Sequence, residues 1–171
     1  MKKTHGVVSK SVVALALLGA LPAAAGTATY SGALCSTPVS GFSAPTTFRS
    51  GRILNQTASS IEVICPIQRN VNVSTFAEDM SVSITALDPH LTENVCCTAT
   101  VTESDGTALT SGSACSNWGA DTANHKPFSI NLASVFAGLN GYLSLRCELP
   151  PQYTSGATKY SSVISSIVVT E

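Results

Sequence analysis

The chain has 171 residues, of which 44% are hydrophobic and only 11% are charged, and its formal net charge at pH 7 is −1. After position 10 its Lys and Arg residues stand singly, so the sequence lacks the basic patch that nucleic-acid binding requires. The length left after an N-terminal targeting segment, roughly 146 residues, suits one hydrophobic core.

The first 25 residues have the three parts of a secretory signal peptide. Residues 1–10 carry three lysines, residues 11–21 are apolar, and Ala23, Ala24 and Ala25 form an A-x-A cleavage pattern. The apolar run is too short to cross a bilayer, which takes about 20 residues. We therefore predict cleavage before Gly26, a secreted or periplasmic location, and no membrane insertion.

Residues 26–50 are rich in Gly, Ala, Ser, Thr and Pro, a composition that predicts a loose N-terminal arm. One short strand is expected near residues 46–49, and Cys35 is expected to tether the arm to the rest of the protein. The remaining residues, 51–171, are predicted to form a single domain.

Alternating apolar and polar residues predict strands over most of that domain. In the first strand, residues 60–68, Pro66 requires a sheet edge, a bulge or a strand end, because proline cannot donate to a ladder. Further strands are predicted at residues 80–87, 128–132, 142–149 and 161–170, with one helical turn at residues 132–139. About seven to nine short strands indicate an all-β fold, an antiparallel β-sandwich of the jelly-roll or immunoglobulin-like kind.

A hairpin is predicted at residues 94–116, where Asp105-Gly106 separates two alternating runs. The dipeptide suits a two-residue turn, because both residues tolerate positive φ. In that register facing residue numbers sum to 211, so Cys96 lies opposite Cys115 on the polar face, whereas Cys97 points to the core. A β-bulge in the hairpin would instead give the partnership with Cys115 to Cys97.

All six cysteines follow the signal segment. An even number behind a secretory signal predicts three disulfides, which persist in oxidising compartments. A metal site is disfavoured, because the sequence has no C-x-x-C repeat and adjacent cysteines on a strand cannot converge on one ion. If Cys96 pairs with Cys115, four cysteines remain whose pairing the sequence leaves open: Cys35, Cys65, Cys97 and Cys147.

Several motifs containing Cys or Pro are spread over most of the chain after the signal segment. They are Gly51-x-x-x-Asn55, Ile64-Cys65-Pro66-Ile67-x-Arg69, Val95-x-Cys97, Leu145-x-Cys147-x-Leu149-Pro150-Pro151, Ser162-x-Ile164-Ser165 and the terminal Glu171. In these motifs the chain resembles a group of small secreted bacterial proteins that have no assigned function. The resemblance implies a secreted β-sandwich and no particular activity, so the motif residues are expected to be framework residues.

The sequence offers no catalytic set, and we expect the protein not to be an enzyme. His90 and His125 are both expected to be solvated loop residues, and no serine lies in a G-x-S-x-G motif. No pair of acidic residues stands out as the two carboxylates of a glycosidase. Carboxylates that bracket one strand, Glu78, Asp79 and Asp88, could bind Ca²⁺, but no EF-hand loop is present and no cofactor is predicted.

Trp118, the only tryptophan, lies in a polar loop. It could stack on a sugar if exposed or cap the core if shielded, and we favour the shielded placement. The preferred hypothesis is an exported, non-catalytic structural, surface or adhesion-type protein. A glycan or a cell-surface component is the kind of partner that such a protein would bind. The alternative is a carbohydrate-binding module that uses Trp118, and a small secreted hydrolase comes third.

Overall fold

The computed structural model describes residues 26–38, 46–68, 79–133 and 141–170. These ranges form antiparallel strands and one short 3-10 turn, Gly32–Leu34, so the all-β prediction is confirmed. The strands are β1 Thr27–Ser31, β2 Thr46–Arg49, β3 Arg52–Asn55, β4 Ile61–Ile67, β5 Met80–Leu87, β6 Cys96–Thr102, β7 Ala108–Cys115, β8 Lys126–Leu132, β9 Tyr142–Leu149, β10 Tyr153–Ser155, β11 Thr158–Tyr160 and β12 Ser162–Thr170. The predicted signal peptide and most of the predicted helical turn lie outside the described residues.

The larger sheet, sheet A, contains β2, β3, β12, β5 and β8 in that order, and β1 also pairs with β12. Strand β3 pairs with the first part of β12, and β1 pairs with its second part. Two strands from the predicted N-terminal arm, β1 and β2, are therefore members of this sheet. Strand β1 escaped prediction because its sequence, TATYS, is short and lacks a run of apolar residues.

The smaller sheet, sheet B, has the strand order β4-β9-β6-β7. Pro66 lies in β4, an edge strand of this sheet. An edge strand tolerates proline, which has no N–H to donate to a neighbouring strand. Strands β10 and β11 form a separate two-stranded hairpin. Among the described residues, no helix is long and apolar enough to cross a membrane.

The two sheets pack face to face over one hydrophobic core. In β5, Val82, Ile84 and Ala86 are fully buried while the residues between them are half-buried, as the alternating sequence predicts. Fully burying a side chain such as Val, Ile or Leu stabilises the fold by about 1.5–3 kcal/mol. The other large, fully buried side chains of both sheets are Ile53, Val63, Val95, Val101, Ile130, Leu143, Leu145, Leu149, Ile164 and Ile167.

The six cysteines form three disulfides, Cys35–Cys65, Cys96–Cys115 and Cys97–Cys147. The adjacent cysteines of β6 point to opposite faces of sheet B, so Cys96 is bonded to β7 and Cys97 to β9. Together these two bonds fasten three neighbouring strands. The third bond, Cys35–Cys65, connects the segment after β1 to β4, so Cys35 tethers this part of the N-terminal arm as predicted.

The β6–β7 hairpin has the predicted register but not the predicted turn. Glu103 N donates to Thr107 O, which closes a loop longer than two residues, and Gly106 adopts a φ of +93°. A bulge next to this loop returns the strands to the register in which Cys96 faces Cys115. The Cα atoms of that pair are 4.1 Å apart, as in a non-hydrogen-bonded pair, where side chains approach most closely.

Asn55 connects two of the sequence motifs across the sandwich. Its side-chain Nδ2 donates to Leu149 O at 3.1 Å and to Pro150 O at 2.8 Å, and its Oδ1 accepts from Thr57 N at 2.9 Å. The residue is fully buried, so these bonds offset the cost of removing its amide from water. Asn55 and the Leu-Pro-Pro segment are thus held together by buried hydrogen bonds.

Candidate functional site

Three parallel rows of side chains cross the outward face of sheet B. Residues that face one another on neighbouring strands form each row: Glu62, Glu148, Cys96 and Cys115 in the first; Ile64, Arg146, Thr98 and Ser113 in the second; Pro66, Ser144, Thr100 and Ser111 in the third. Much of this face is concave and forms an open depression of about 480 Å³. We call this depression the outer groove, lined by Glu62, Ile64, Cys96, Thr98, Thr100, Ser144, Arg146 and Glu148.

The charged residues of the outer groove lie at one end of it. Arg146 forms an ion pair with Glu62, and its side chain is 68% exposed. Glu148 faces Glu62 across the β4–β9 pair and has no side-chain partner among the described residues. Like charges placed opposite each other on a sheet are unfavourable, so Arg146 is the cation that offsets this pairing.

Hydroxyl groups occupy the middle of the outer groove. Thr98 and Ser113 hydrogen-bond to each other at 2.7 Å. The hydroxyls of Thr100 and Ser144, which face each other in the next row, have no partner in the described part of the chain. The protein therefore leaves donors and acceptors on this face open to solvent or to a ligand.

Tyr142 extends the outward face of β9 beyond Ser144. Side chains two residues apart on a strand share a face, and Tyr142 therefore lies on the same side as the groove residues of β9. It is 44% exposed, one of the few large hydrophobic side chains in the described ranges with this much exposure. The face thus ends in an accessible aromatic ring.

Trp118 lies elsewhere, at the end of the sandwich where the connections β5–β6 and β7–β8 cross between the sheets. It is half-buried, and its ring centroid is 6.0 Å from that of Phe128. Lys126 Nζ lies over the ring, 5.9 Å from its centroid, and binds Asp121 Oδ2 at 2.7 Å. This ion pair, followed by the backbone N–H groups of Asn124 and Ala123, holds the pKa of Asp121 far below its usual range.

The same end of the sandwich contains a buried carboxylate. Asp88 accepts hydrogen bonds from Ser116 Oγ, from Val95 N at 3.3 Å and from His90 N at 3.2 Å. Its backbone oxygen accepts from Asp121 N at 2.8 Å, which joins the two connections to each other. We call residues 88–95 and 116–128 the Trp118 end; in it, polar groups are bonded mainly to one another.

The carboxylates considered as calcium ligands in the sequence do not come together in the described part of the structure. Asp79 and Asp88 flank β5 at opposite ends, about 30 Å apart at the rise of a strand, so they cannot share an ion. Glu78 lies outside the described residues. Within the described ranges, no three metal-binding side chains converge.

Both histidines lie in connections between strands, as expected, but neither is fully solvated. The side chain of His90 is only 17% exposed; its Nδ1 accepts from Glu93 N at 3.0 Å, and its ring lies edge-on to Tyr153. His125 is half-buried as well. A polar loop sequence did not reveal these contacts, because they depend on how separate connections pack.

His125 and Ser165 form a Ser–His contact that the sequence did not indicate. Ser165 Oγ lies 2.6 Å from Nδ1 of the ring, and Arg52 Nη1 lies 3.4 Å from Nε2. Burial, followed by the nearby guanidinium of Arg52, lowers the pKa of His125. Because arginine can only donate, Nε2 accepts and Nδ1 carries the proton that it donates to Ser165. This tautomer cannot accept the serine proton, so the contact lacks the arrangement of an activated nucleophile.

Comparison with known proteins identifies the fold alone. No family model and no curated protein matches the chain. A solved structure, the C-terminal CBM6 of LamC, a marine laminarinase from Zobellia galactanivorans, is similar at a TM-score of 0.51 and 12% identity, over 85% of this chain and 100% of that one. The GH26-CBM35 β-(1,4)-mannanase of Podospora anserina is similar at a TM-score of 0.44 and 12% identity, over 85% of this chain and 27% of that one. The BiXyn10A CBM1 is similar at a TM-score of 0.44 and 11% identity, over 84% of this chain and 96% of that one. The first supports a β-sandwich; the others are too distant to support an argument.

Proposed function

We propose that the protein is a non-catalytic carbohydrate-binding module that holds an oligosaccharide in the outer groove. The observation that carries the proposal is a concave sheet face on which Thr100, Ser144 and Glu148 have no side-chain partner among the described residues. This face ends in the exposed ring of Tyr142. The fold similarity favours this function, the alternative in the sequence analysis, over the structural role preferred there. The proposal places the binding site in the outer groove rather than at Trp118.

The groove has the chemistry that sugars require. A sugar ring carries hydroxyl groups that both donate and accept, and Thr100, Ser144 and Glu148 offer matching groups without partners among the described residues. Arg146 supplies several fixed donors at the end where the carboxylates lie. Tyr142 offers a flat apolar surface to the C–H face of a sugar ring, with a hydroxyl at its tip.

Trp118 is a poorer platform than Tyr142. Phe128 packs against its ring, and Lys126, fixed by Asp121, covers a face that a sugar would have to occupy. A sugar could stack there only if this ion pair moved. We therefore assign Trp118 to the framework of the sandwich end.

Binding without catalysis is part of the proposal. Glu62 and Glu148 are two carboxylates on adjacent strands, the kind of pair a glycosidase uses, and the sequence analysis did not single them out. Glu62 is ion-paired with Arg146, however, whereas a glycosidase requires both carboxylates to act on the scissile bond. The groove offers contacts along a chain of sugars and no enclosure around one bond.

The proposed partner is an extracellular or cell-wall polysaccharide, which requires export. Three disulfides in a small domain fit an oxidising compartment. Cleavage before Gly26 and a secreted or periplasmic location remain predictions. Intact mass and N-terminal sequencing of the exported protein test them.

Titration calorimetry with a panel of soluble oligosaccharides, including glucans, mannans, xylans and galactans, tests the proposed function. We expect at least one class to bind saturably, and Tyr142→Ala to weaken that binding about five- to tenfold through loss of the stacking contact. Arg146→Ala should weaken it as well. Ser129→Ala changes an exposed serine on the opposite sheet and should leave the affinity unchanged. Failure of every class to bind, or equal affinity in all variants, would contradict the proposal.

A further inference from the structure

The Cys96–Cys115 disulfide differs from the other two in its place in the fold. Both of its cysteines are half-buried on the outward face of sheet B, and Cys96 lines the outer groove. The cysteines of the other two disulfides are each at most 1% exposed and belong to the hydrophobic core. A reagent in the groove can therefore reach one disulfide, while the other two are shielded by the packed sheets.

We propose that Cys96–Cys115 is a redox-sensitive disulfide that controls the shape of the outer groove. Thiol–disulfide exchange requires an attacking thiolate to reach a sulfur atom, so accessibility decides which bond reacts first. Small dithiols, or the exposed dithiol of a reducing protein, are the class of reductant that the proposal requires. The effect on ligand binding rests on the proposed function, whereas the selectivity of reduction rests on exposure alone.

The reaction is a two-electron exchange. One thiolate of the dithiol attacks a sulfur of Cys96–Cys115, forms a mixed disulfide and releases the other cysteine as a thiolate. The second thiol of the reagent, after losing its proton, attacks the mixed disulfide and leaves with the first as an intramolecular disulfide. The protein gains two electrons and two protons, and the reagent loses the same number.

Reduction should change the groove without unfolding the protein. Two thiol sulfurs cannot remain at bonding distance, so Cys96 must rotate or β7 must move away from β6. Strand β7 is an edge strand of sheet B, so within that sheet β6 is its one neighbour. Its hydrogen-bonded register with β6 and the buried Cys97–Cys147 bond between β6 and β9 are retained. The first two rows of the groove face would change most.

The selectivity is tested on the folded, oxidised protein with increasing dithiothreitol, followed by alkylation with iodoacetamide and peptide mapping. We expect Cys96 and Cys115 to be alkylated at reductant concentrations that leave the other four cysteines unlabelled, with the far-UV circular dichroism unchanged. Simultaneous labelling of all six cysteines, or labelling of Cys35 and Cys65 first, would overturn the proposal.

The effect on binding is tested with the selectively reduced protein and with the double variant Cys96→Ser, Cys115→Ser. Both should bind the oligosaccharide found in the titration panel several-fold more weakly than the oxidised protein. Unchanged affinity after selective reduction would refute the control of the groove and leave the proposed function intact. If the oxidised protein binds no oligosaccharide, the proposed function fails, and the labelling pattern still decides whether this disulfide is the sensitive one.

Discussion

The outer groove and the Trp118 end use their polar groups in opposite ways. At the Trp118 end, Asp88 is bonded to a hydroxyl and two backbone N–H groups, and Asp121 to a lysine. In the groove, Thr100, Ser144 and Glu148 have no side-chain partners among the described residues. The first arrangement stabilises the fold, and the second leaves contacts for a ligand, so substitutions in the two regions should affect different measurements.

The largest effect on stability is expected at Asp88. Asp88→Ala would leave Ser116 Oγ, which is buried, and the half-buried N–H of His90 without their acceptor, whereas the N–H of Val95 keeps its bond to Ser116 Oγ at 2.9 Å. Each buried donor without an acceptor costs about 1–3 kcal/mol. We expect the free energy of unfolding in urea to fall by about 3 kcal/mol. Asp105→Ala, at an exposed turn carboxylate, is the control and should cost far less. Equal losses of unfolding free energy in the two variants would contradict the claim that Asp88 stabilises the fold more than an exposed carboxylate does.

Trp118→Ala should have the next largest effect. Truncating a fully buried tryptophan costs about 3–5 kcal/mol, and Trp118 is only half-buried, so a loss of about 2 kcal/mol is expected. Oligosaccharide affinity should not change. Trp118→Phe keeps an aromatic ring and removes an indole N–H that is buried without a partner among the described residues, so it should retain most of the stability. Loss of sugar binding in Trp118→Phe without loss of stability would move the binding site to this end.

The smallest expected effect is on the pH dependence of stability. The pKa of His125 is lowered from 6.5 in the folded protein, so the unfolded chain takes up this proton more readily. The contribution of His125 to stability is therefore fully present above pH 6.5 and is lost as the pH decreases toward the folded pKa. His125→Gln should reduce the fall in unfolding midpoint between neutral and mildly acidic pH, whereas His90→Gln should retain it because His125 is still present. If His125→Gln showed the same fall in unfolding midpoint as the unmodified protein, His125 would not be the group responsible for the pH dependence.

Local sequence patterns were sufficient for much of the fold. The bounds of β5 agree with the prediction because alternation within MSVSITAL depends on one strand alone. The Cys96–Cys115 pair lies within one hairpin, so the register of its two strands was enough to predict the disulfide. The predicted two-residue turn of that hairpin was wrong. The Cys97–Cys147 pair joins strands that are distant in sequence, and local patterns do not give strand order.

The candidate site depends on that strand order and so was not predicted. Glu62 and Glu148 are 86 residues apart in sequence and meet only because β4 pairs with β9. The hydroxyls of Thr100 and Ser144 likewise share a row because β6 lies on the other side of β9. Trp118 attracted attention as the single tryptophan, whereas Tyr142 gave no such signal. The strand at residues 142–149 was correctly predicted from its alternating sequence, but one strand does not define a groove.

The most direct test of the account is a two-dimensional ¹H–¹⁵N NMR titration of the oxidised protein with the oligosaccharide that binds most tightly. We predict saturable shifts of the backbone amides of Thr98, Thr100, Ser144 and Arg146, while the indole N–H signal of Trp118 stays in place. Shifts concentrated at Trp118 and its neighbours, with the groove amides unmoved, would contradict the assignment of binding to the outer groove.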